Sequence, residues 1–280
     1  MTYANEIKQH IDQFPDMPPL CQKLIGYLED PEVEFKTIAN IIKYDPGLTA
    51  NILKFANSVY FGAIQKVNSL QAGLVRLGTR MVLEVVLSLS VSSRLVPGLP
   101  GYGLEAKELL KHSIWTAVAA QELASILGMK QIDMVFTTGL MHDLGMLLLD
   151  PFIQKENLLF RKFLEDPDTS FERKEREVFG IDHAQAGAMA LENWQLDSKI
   201  VAGVMWHHEP EKAVEYRDLV YLIHLANMLA LSEGVGTGFY GMQYSVSPKT
   251  IEILGLKKSH LEFASSKALD KVKELENILG

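Results

Sequence analysis

The chain carries a single cysteine, Cys21, in 280 residues, so no disulfide can close within it and a reducing compartment is implied. Positive charge is also scarce: 27 Lys and Arg against 35 Asp and Glu leave a formal charge of −8. A nucleic-acid binder needs a basic face to neutralise phosphates, so that class is disfavoured. Long apolar runs are missing. The most apolar stretch, residues 81–96, is interrupted by Glu84, Arg94 and four serines, and is too polar and too short for a bilayer span. The first twenty residues hold acidic and polar groups and three prolines, not a basic segment followed by an apolar run, so no secretion signal is read. Sustained strand alternation, fixed-period repeats and low-complexity tracts are absent too. These absences leave a soluble, cytoplasmic protein with no membrane or nucleic-acid partner.

What is present is apolar residue spaced for helices. At 48% apolar the chain has ample material for a core, and its length suits one large domain or two modest ones. Asp30-Pro31 and Asp45-Pro46 read as an N-cap followed by proline at the first helical position, where the missing N–H is harmless. Ser170, Asp182 and Asp197 are further caps, and Gly78, Gly128 and Gly180 stand where helices end. The run Pro97-Gly98-Leu99-Pro100-Gly101-Tyr102-Gly103 holds three glycines and two prolines, and a module boundary is placed there. The expected fold is all-α, with one helical module over residues 1–100 and a second over 101–280. A glycine-rich loop, 234–241, precedes a C-terminal helical pair.

Six of the eight histidines fall between His112 and His224. Imidazole with carboxylate is the donor set borderline divalent metals prefer, so histidines recurring on helices point to a metal site inside a bundle. A helix expected from about Leu104 to Leu127 turns His112 inward with Trp115, Ala119 and Leu123, and puts Glu108 four residues earlier on the same face. The next expected helix carries Gly139-Leu140-Met141-His142-Asp143-Leu144-Gly145, which adds two donors between glycines that let a neighbouring helix approach. An aspartate among apolar residues is costly to bury unless paired or coordinated. His183 opens a helix after Asp182, and His207-His208 close another. Adjacent residues on a helix diverge by about 100°, so the pair reaches one cluster only if the cluster lies between their directions. On the last helix of the region Asn227 shares an inward stripe with Val220, Ile223 and Ala230, and a buried amide demands partners. Each histidine alone is more readily a core or surface residue than a ligand; the ordered set is what carries information.

The order of these motifs resembles the HD superfamily of metal-dependent phosphohydrolases, and more closely its HDOD branch. The phrases Met17-Pro18-Pro19-Leu20, Asp30-Pro31, Tyr44-Asp45-Pro46-Gly47-Leu48-Thr49-Ala50, Phe55-Ala56-Asn57-Ser58 and Leu70–Gly78 carry the narrower likeness, which spans about Pro15 to Leu231. The resemblance implies an HD-like helical bundle in the second module and a role in bacterial signalling, usually without demonstrated catalysis. Matched motif by motif it makes His112, His142 and Asp143 the core ligands, with His183, His207 and His208 as the additional ones. Glu108 resembles an extra carboxylate of multi-metal relatives, and Asn227 stands where a distal aspartate is expected. It implies one or two divalent ions (iron, manganese, nickel or zinc), no organic cofactor, and a signalling protein partner with a nucleotide as candidate ligand.

Three departures weaken an enzymatic role. Asn227 brings a neutral oxygen in place of a carboxylate, Met146 stands where active cyclic-dinucleotide phosphodiesterases of this kind carry lysine, and the Gly-Tyr-Pro signature of those enzymes is missing after His207-His208. Five neutral imidazoles with Asp143, or with Asp143 and Glu108, bring only one or two negative charges, so two ions need a hydroxide or bound anion for balance. The expectation is therefore a regulatory module without turnover. The alternative is a metal-dependent phosphohydrolase acting on a nucleotide or cyclic dinucleotide.

Overall fold

The computed structural model describes residues 3–28, 32–58, 65–129, 134–163, 170–239 and 246–279. Among these residues every regular element is a helix, and the β-type pairing is one isolated bridge, Leu99 with Leu104. The chain divides into two compact units, one made of 16–93 with 273–280 and the other of 1–15 with 94–272. No helix among the described residues is long and apolar enough to cross a membrane.

Helix α1 (Tyr3–Asp12) belongs to the larger unit, burying Ile7 and Ile11, so residues 1–15 pack with the later region and not with the module that follows them in sequence. The smaller unit holds α2 (Pro19–Leu28), α3 (Phe35–Ile42), α4 (Pro46–Asn57) and α5 (Leu70–Ser92). The Asp45 side chain accepts the Leu48 N–H at 2.9 Å while Pro46 occupies the first position of α4, which is the N-terminus the dipeptide predicts. Asp30-Pro31 lies outside the described residues. Gly78 ends the first of two helical stretches within α5, as the sequence leads one to expect. It kinks α5 from within, at φ 73°, a conformation glycine alone adopts without strain. Asn57 exchanges two hydrogen bonds with the backbone of Val67, at 2.9 and 2.8 Å, and Arg76 Nη1 donates to the Ala56 carbonyl at 3.1 Å. The Phe55–Ser58 and Leu70–Gly78 phrases thus serve packing, tying α5 and the turn before it to the end of α4.

The larger unit continues with α6 (Glu108–Ile126), α7 (Val135–Met141), α8 (Met146–Lys155), α9 (Asn157–Phe163), α10 (Phe171–Phe179), α11 (His183–Asn193), α12 (Ser198–Met205), α13 (Arg217–Ser232) and α14 (Pro248–Leu254). The last helix, α15 (Lys258–Leu279), runs within this unit as far as Val272. Thirteen of the nineteen residues of α6, all seven of α7 and eleven of the sixteen of α13 are buried, and helices apolar nearly all round form the middle of a bundle. Gly139 sets the α6–α7 distance: a Cβ there would lie 2.6 Å from the Ala117 Cα. Gly145 does the same against α11, where a Cβ would meet the His183 carbonyl oxygen at 1.8 Å.

Two elements depart from the sequence expectation. The helix expected from Leu104 starts at Glu108, because residues 99–104 fold back on themselves, Leu99 and Leu104 exchanging backbone hydrogen bonds at 2.8 and 3.1 Å. The segment read as a boundary therefore delivers Tyr102, 1% exposed, into the interior. The helix expected through residues 139–145 stops at Met141 and resumes at Met146, leaving His142-Asp143-Leu144-Gly145 as a turn between α7 and α8.

Candidate metal centre

Five elements present donor atoms to one buried region of the larger unit. His112 projects from the second turn of α6, His142 and Asp143 from the turn after α7, and Asn227 from the middle of α13. His183 is the first residue of α11, a position set by a capping box in which Asp182 accepts the Gln185 N–H and the Gln185 side chain accepts the Asp182 N–H. His207 and His208 follow α12, whose own start is capped by Asp197. Arg176, at the end of α10, pairs with Asp182 and with Glu209, 3.0 Å away, so one guanidinium ties the segment before His183 to the segment after His208.

Asp143 lies between two groups of imidazoles. Its Oδ2 stands 3.1 Å from His142 Nε2 and 3.4 Å from His112 Nε2; its Oδ1 stands 3.4 Å from His207 Nε2 and 3.5 Å from His183 Nε2. His183 and His208 face each other Nε2 to Nε2 at 2.8 Å, His112 and His142 at 3.3 Å, and Asn227 Oδ1 is 3.0 Å from His112 Nε2. In both groups, His112-His142-Asp143 and Asp143-His183-His207-His208, the donor atoms lie within 4.8 Å of one another.

Which atoms carry protons follows from the second ring nitrogens. His112 Nδ1 meets the Val235 carbonyl at 2.8 Å, His142 Nδ1 that of Gly139 at 2.7 Å, and His207 Nδ1 that of Val204 at 2.7 Å. A carbonyl only accepts, so each Nδ1 holds the proton and each neutral ring turns an Nε2 lone pair inward. His112 and His142 then confront each other, lone pair against lone pair, with the carboxylate of Asp143 beside both. His207 Nε2 and Asp143 Oδ1 are fully buried and make no hydrogen bond. Opposed buried acceptors are unfavourable unless a cation sits among them. Divalent ions with ~2.0–2.2 Å bonds to nitrogen and oxygen hold neighbouring donors about 3–3.5 Å apart, the separations seen here. The donor set fits metal.

His183 is held differently. Its Nδ1–H and its backbone N–H both donate to Glu175 Oε2, at 2.7 and 2.8 Å, and Glu175 Oε1 accepts the Tyr102 hydroxyl at 2.5 Å. Burial by itself lowers the His183 pKa, but Glu175, then Asp143 and Asp182, push it up to about 10, so without a cation this ring is an imidazolium. Burial pushes His207 down to about 4, and lowers His112 and His208 as well, the last reinforced by His207 and His183.

The structure thus brings together His112, His142, Asp143, His183, His207, His208 and Asn227, and leaves out Glu108. That carboxylate begins α6, where Oε2 accepts the Glu105 N–H at 2.7 Å; with the helix starting there, it caps its own turn and does not reach the cluster. His224 stays out as well, its Nδ1 meeting the His207 carbonyl at 2.7 Å and its Nε2 accepting the Ser247 N–H at 3.0 Å. Sequence reading missed Glu175, Tyr102 and Arg176. Glu175 and Arg176 sit in the charged stretch 172–177, which reads as a solvated face, and Tyr102 in what reads as a linker. Above the donors lies a cavity of about 40 Å³ rimmed by Tyr102, Met146, Phe171, Leu231, Gly236 and Thr237, with no lysine or arginine among the described residues that line it.

Comparison with known proteins adds to this geometry. The model of the HDOD domain matches residues 14–210. An uncharacterized protein of Treponema pallidum is 23% identical over 227 residues, 80% of this chain but 44% of that protein, so the chain spans less than half of this relative. Among solved structures, a candidate signal transduction protein of Marinobacter aquaeolei superposes with a TM-score of 0.73 at 20% identity, over 99% of this chain and 65% of the other. A candidate phosphohydrolase of Shewanella amazonensis gives 0.67 at 21%, over 95% and 98%. At these identities the structural likeness is one of fold.

Proposed function

The chain belongs to the HDOD domain family, and from that premise we propose that it is a signalling or regulatory module built on a buried metal centre and working without hydrolytic turnover. The observation that carries the metal is the set of inward-facing Nε2 lone pairs around Asp143, each fixed by an Nδ1–H bonded to a carbonyl. His112, His142, Asn227 and Asp143 Oδ2 would hold one ion, and His183, His207, His208 and Asp143 Oδ1 a second, iron, manganese, nickel and zinc all suiting such donors. When bound, the ions would supply Lewis acidity and an open position for an added ligand.

The surrounding residues argue against phosphoryl chemistry. Catalysis on a phosphodiester calls for cations where charge develops on the phosphoryl oxygens. Here Met146 lines the cavity, the Arg176 guanidinium is engaged by Asp182 and Glu209, and Asn227 brings no charge. A protein partner that reads the state of the centre fits this arrangement. The second reading, a metal-dependent phosphohydrolase, draws on one feature: a carboxylate shared between two donor groups is suited to a pair of ions clamping a phosphoryl group. Hydrolysis assays on metal-loaded protein with linear and cyclic dinucleotides, nucleotides and a generic phosphodiester decide between them. No turnover above that of His142→Ala/Asp143→Ala protein is expected. Turnover that the double substitution abolishes would establish the second reading.

A further inference from the structure

Resting on the metal reading above, and deepening it, we propose that the glycine strap 234–239 is a conformational switch driven by the centre: an ion on His112 closes it, and loss of that ion releases it. The strap is bonded to both donor groups. Its Val235 carbonyl accepts the His112 Nδ1–H at 2.8 Å. Its Phe239 N–H donates to the Tyr102 carbonyl at 3.1 Å, and the Tyr102 hydroxyl donates to Glu175, which holds His183.

The strap fits closely but is lightly held. A Cβ on Gly236 would lie 2.5 Å from the His112 Cβ, and one on Gly238 would lie 2.4 Å from the Tyr102 carbonyl oxygen; both residues have positive φ, 61° and 50°. The Phe239 ring lies against Gly103, where an added Cβ would meet three of its carbons within 2.7 Å. Yet Val235 alone of the six strap residues is buried, and the Phe239 ring is half exposed. A segment with one buried side chain and few backbone bonds opens locally at small cost in free energy.

The drive comes from the place of one proton. With an ion on Nε2, the His112 proton is confined to Nδ1 and its bond to Val235 is strengthened. Without the ion, the Nε2 lone pairs of His112 and His142 oppose each other at 3.3 Å. Moving the single ring proton of neutral His112 from Nδ1 to Nε2, by exchange with water, relieves this, because the Nε2–H then donates to Asn227 Oδ1, 3.0 Å away. His142 gains nothing from the same move: its Nδ1 faces the Gly139 carbonyl at 2.7 Å, fixed in the helix just before it. His112 faces a carbonyl on the strap. Once its Nδ1 is a bare acceptor it repels the Val235 carbonyl, and the strap lifts while the ring stays neutral. The coupling is reciprocal: the factor by which metal favours the closed strap is the factor by which the closed strap favours metal. Loss of a partner behind a ligating imidazole sets that factor at ~10–100-fold.

The test reads amide hydrogen exchange and imidazole nitrogen shifts by NMR in zinc-loaded and metal-free protein. Zinc is expected to slow exchange of the Phe239 N–H by ~10–100-fold. The Met129 N–H, bonded to the Ala124 carbonyl at the far end of α6, should change little. The His112 shifts should place the proton on Nδ1 with zinc and on Nε2 without it. Gly238→Ala, whose methyl would strike the Tyr102 carbonyl without touching a donor, should speed Phe239 exchange and weaken one zinc by ~10–100-fold. Phe239 exchange slowed no more than that of Met129, or a His112 proton on Nδ1 in both forms, overturns the inference and leaves the metal reading standing. So does Gly238→Ala protein that folds and binds zinc as the wild type does; if that variant does not fold, the wild-type exchange and shifts decide alone. Protein that retains no zinc overturns both.

Discussion

Replacing Glu175 by glutamine probes how the centre is held without touching a donor. The glutamine amide keeps the shape and can still accept one of the two bonds that His183 makes to Oε2, at 2.7 and 2.8 Å, but the negative charge goes. A carboxylate behind a ligating imidazole raises its basicity and fixes its ring, and removing such a partner costs roughly 10–100-fold in metal affinity. At about 1.4 kcal/mol per factor of ten this is ~1.4–2.8 kcal/mol, confined to the ion held by His183, His207 and His208. Competition with a chromophoric chelator at pH 7 should show one ion weakened by that factor and the other, on His112, His142 and Asn227, unchanged. The reasoning fails if both affinities stay as in the wild type, or if both fall equally. Metal-free Glu175→Gln protein should also lose stability, since the charge that holds His183 protonated, with its pKa up at about 10, is gone.

The remaining expectations concern pH, charge and packing. In metal-free protein, stability owed to His183 is complete below the ordinary histidine pKa of about 6.5 and is lost as pH rises through about 10; His207, down at about 4, acts oppositely, its contribution being lost as pH falls from about 6.5 towards 4. Denaturant titrations across pH should therefore peak near pH ~6.5, and a monotonic profile would contradict the assigned protonation states. Glu108→Ala should leave metal content intact and cost no more than the ~0.3–1 kcal/mol of a favourable charge at a helix start, measured by chemical denaturation. Gly145→Ala should destabilise by at least ~3 kcal/mol or prevent folding, because the new methyl would fall 1.8 Å from the His183 carbonyl, and soluble, metal-binding Gly145→Ala protein would refute the close approach of α8 and α11.

Much of the fold was legible because local chemistry and tertiary role coincide. Asp45-Pro46 caps the helix it promises, Asp182 starts α11 at His183, and Gly180 ends α10 in the left-handed conformation. The inward direction of His112 and Asn227 followed from apolar periodicity, and that of His142-Asp143 from the cost of burying an aspartate among leucines and methionines. What stayed hidden depends on contacts distant in sequence. Glu108 is one helical turn from His112, but spacing could not show that α6 begins at Glu108 and turns that carboxylate back on Glu105. Glu175 belongs to a charged helix whose outward character is real for Glu177 and Arg173; only packing against α11 distinguishes it. Tyr102 lies in a run of glycine and proline whose composition says turn, and nothing local says that the turn is tucked beneath the strap 234–239.

The central claim, that these imidazoles converge to bind cations, is tested most directly by metal stoichiometry with X-ray absorption at the metal edge. Protein purified without chelator and reconstituted with iron, manganese or zinc should hold about one to two ions per chain in an imidazole-rich shell at ~2.0–2.2 Å, and His142→Ala/Asp143→Ala protein should hold almost none. Folded wild-type protein that stays empty after reconstitution, or binds as much metal as the double variant, would contradict the account.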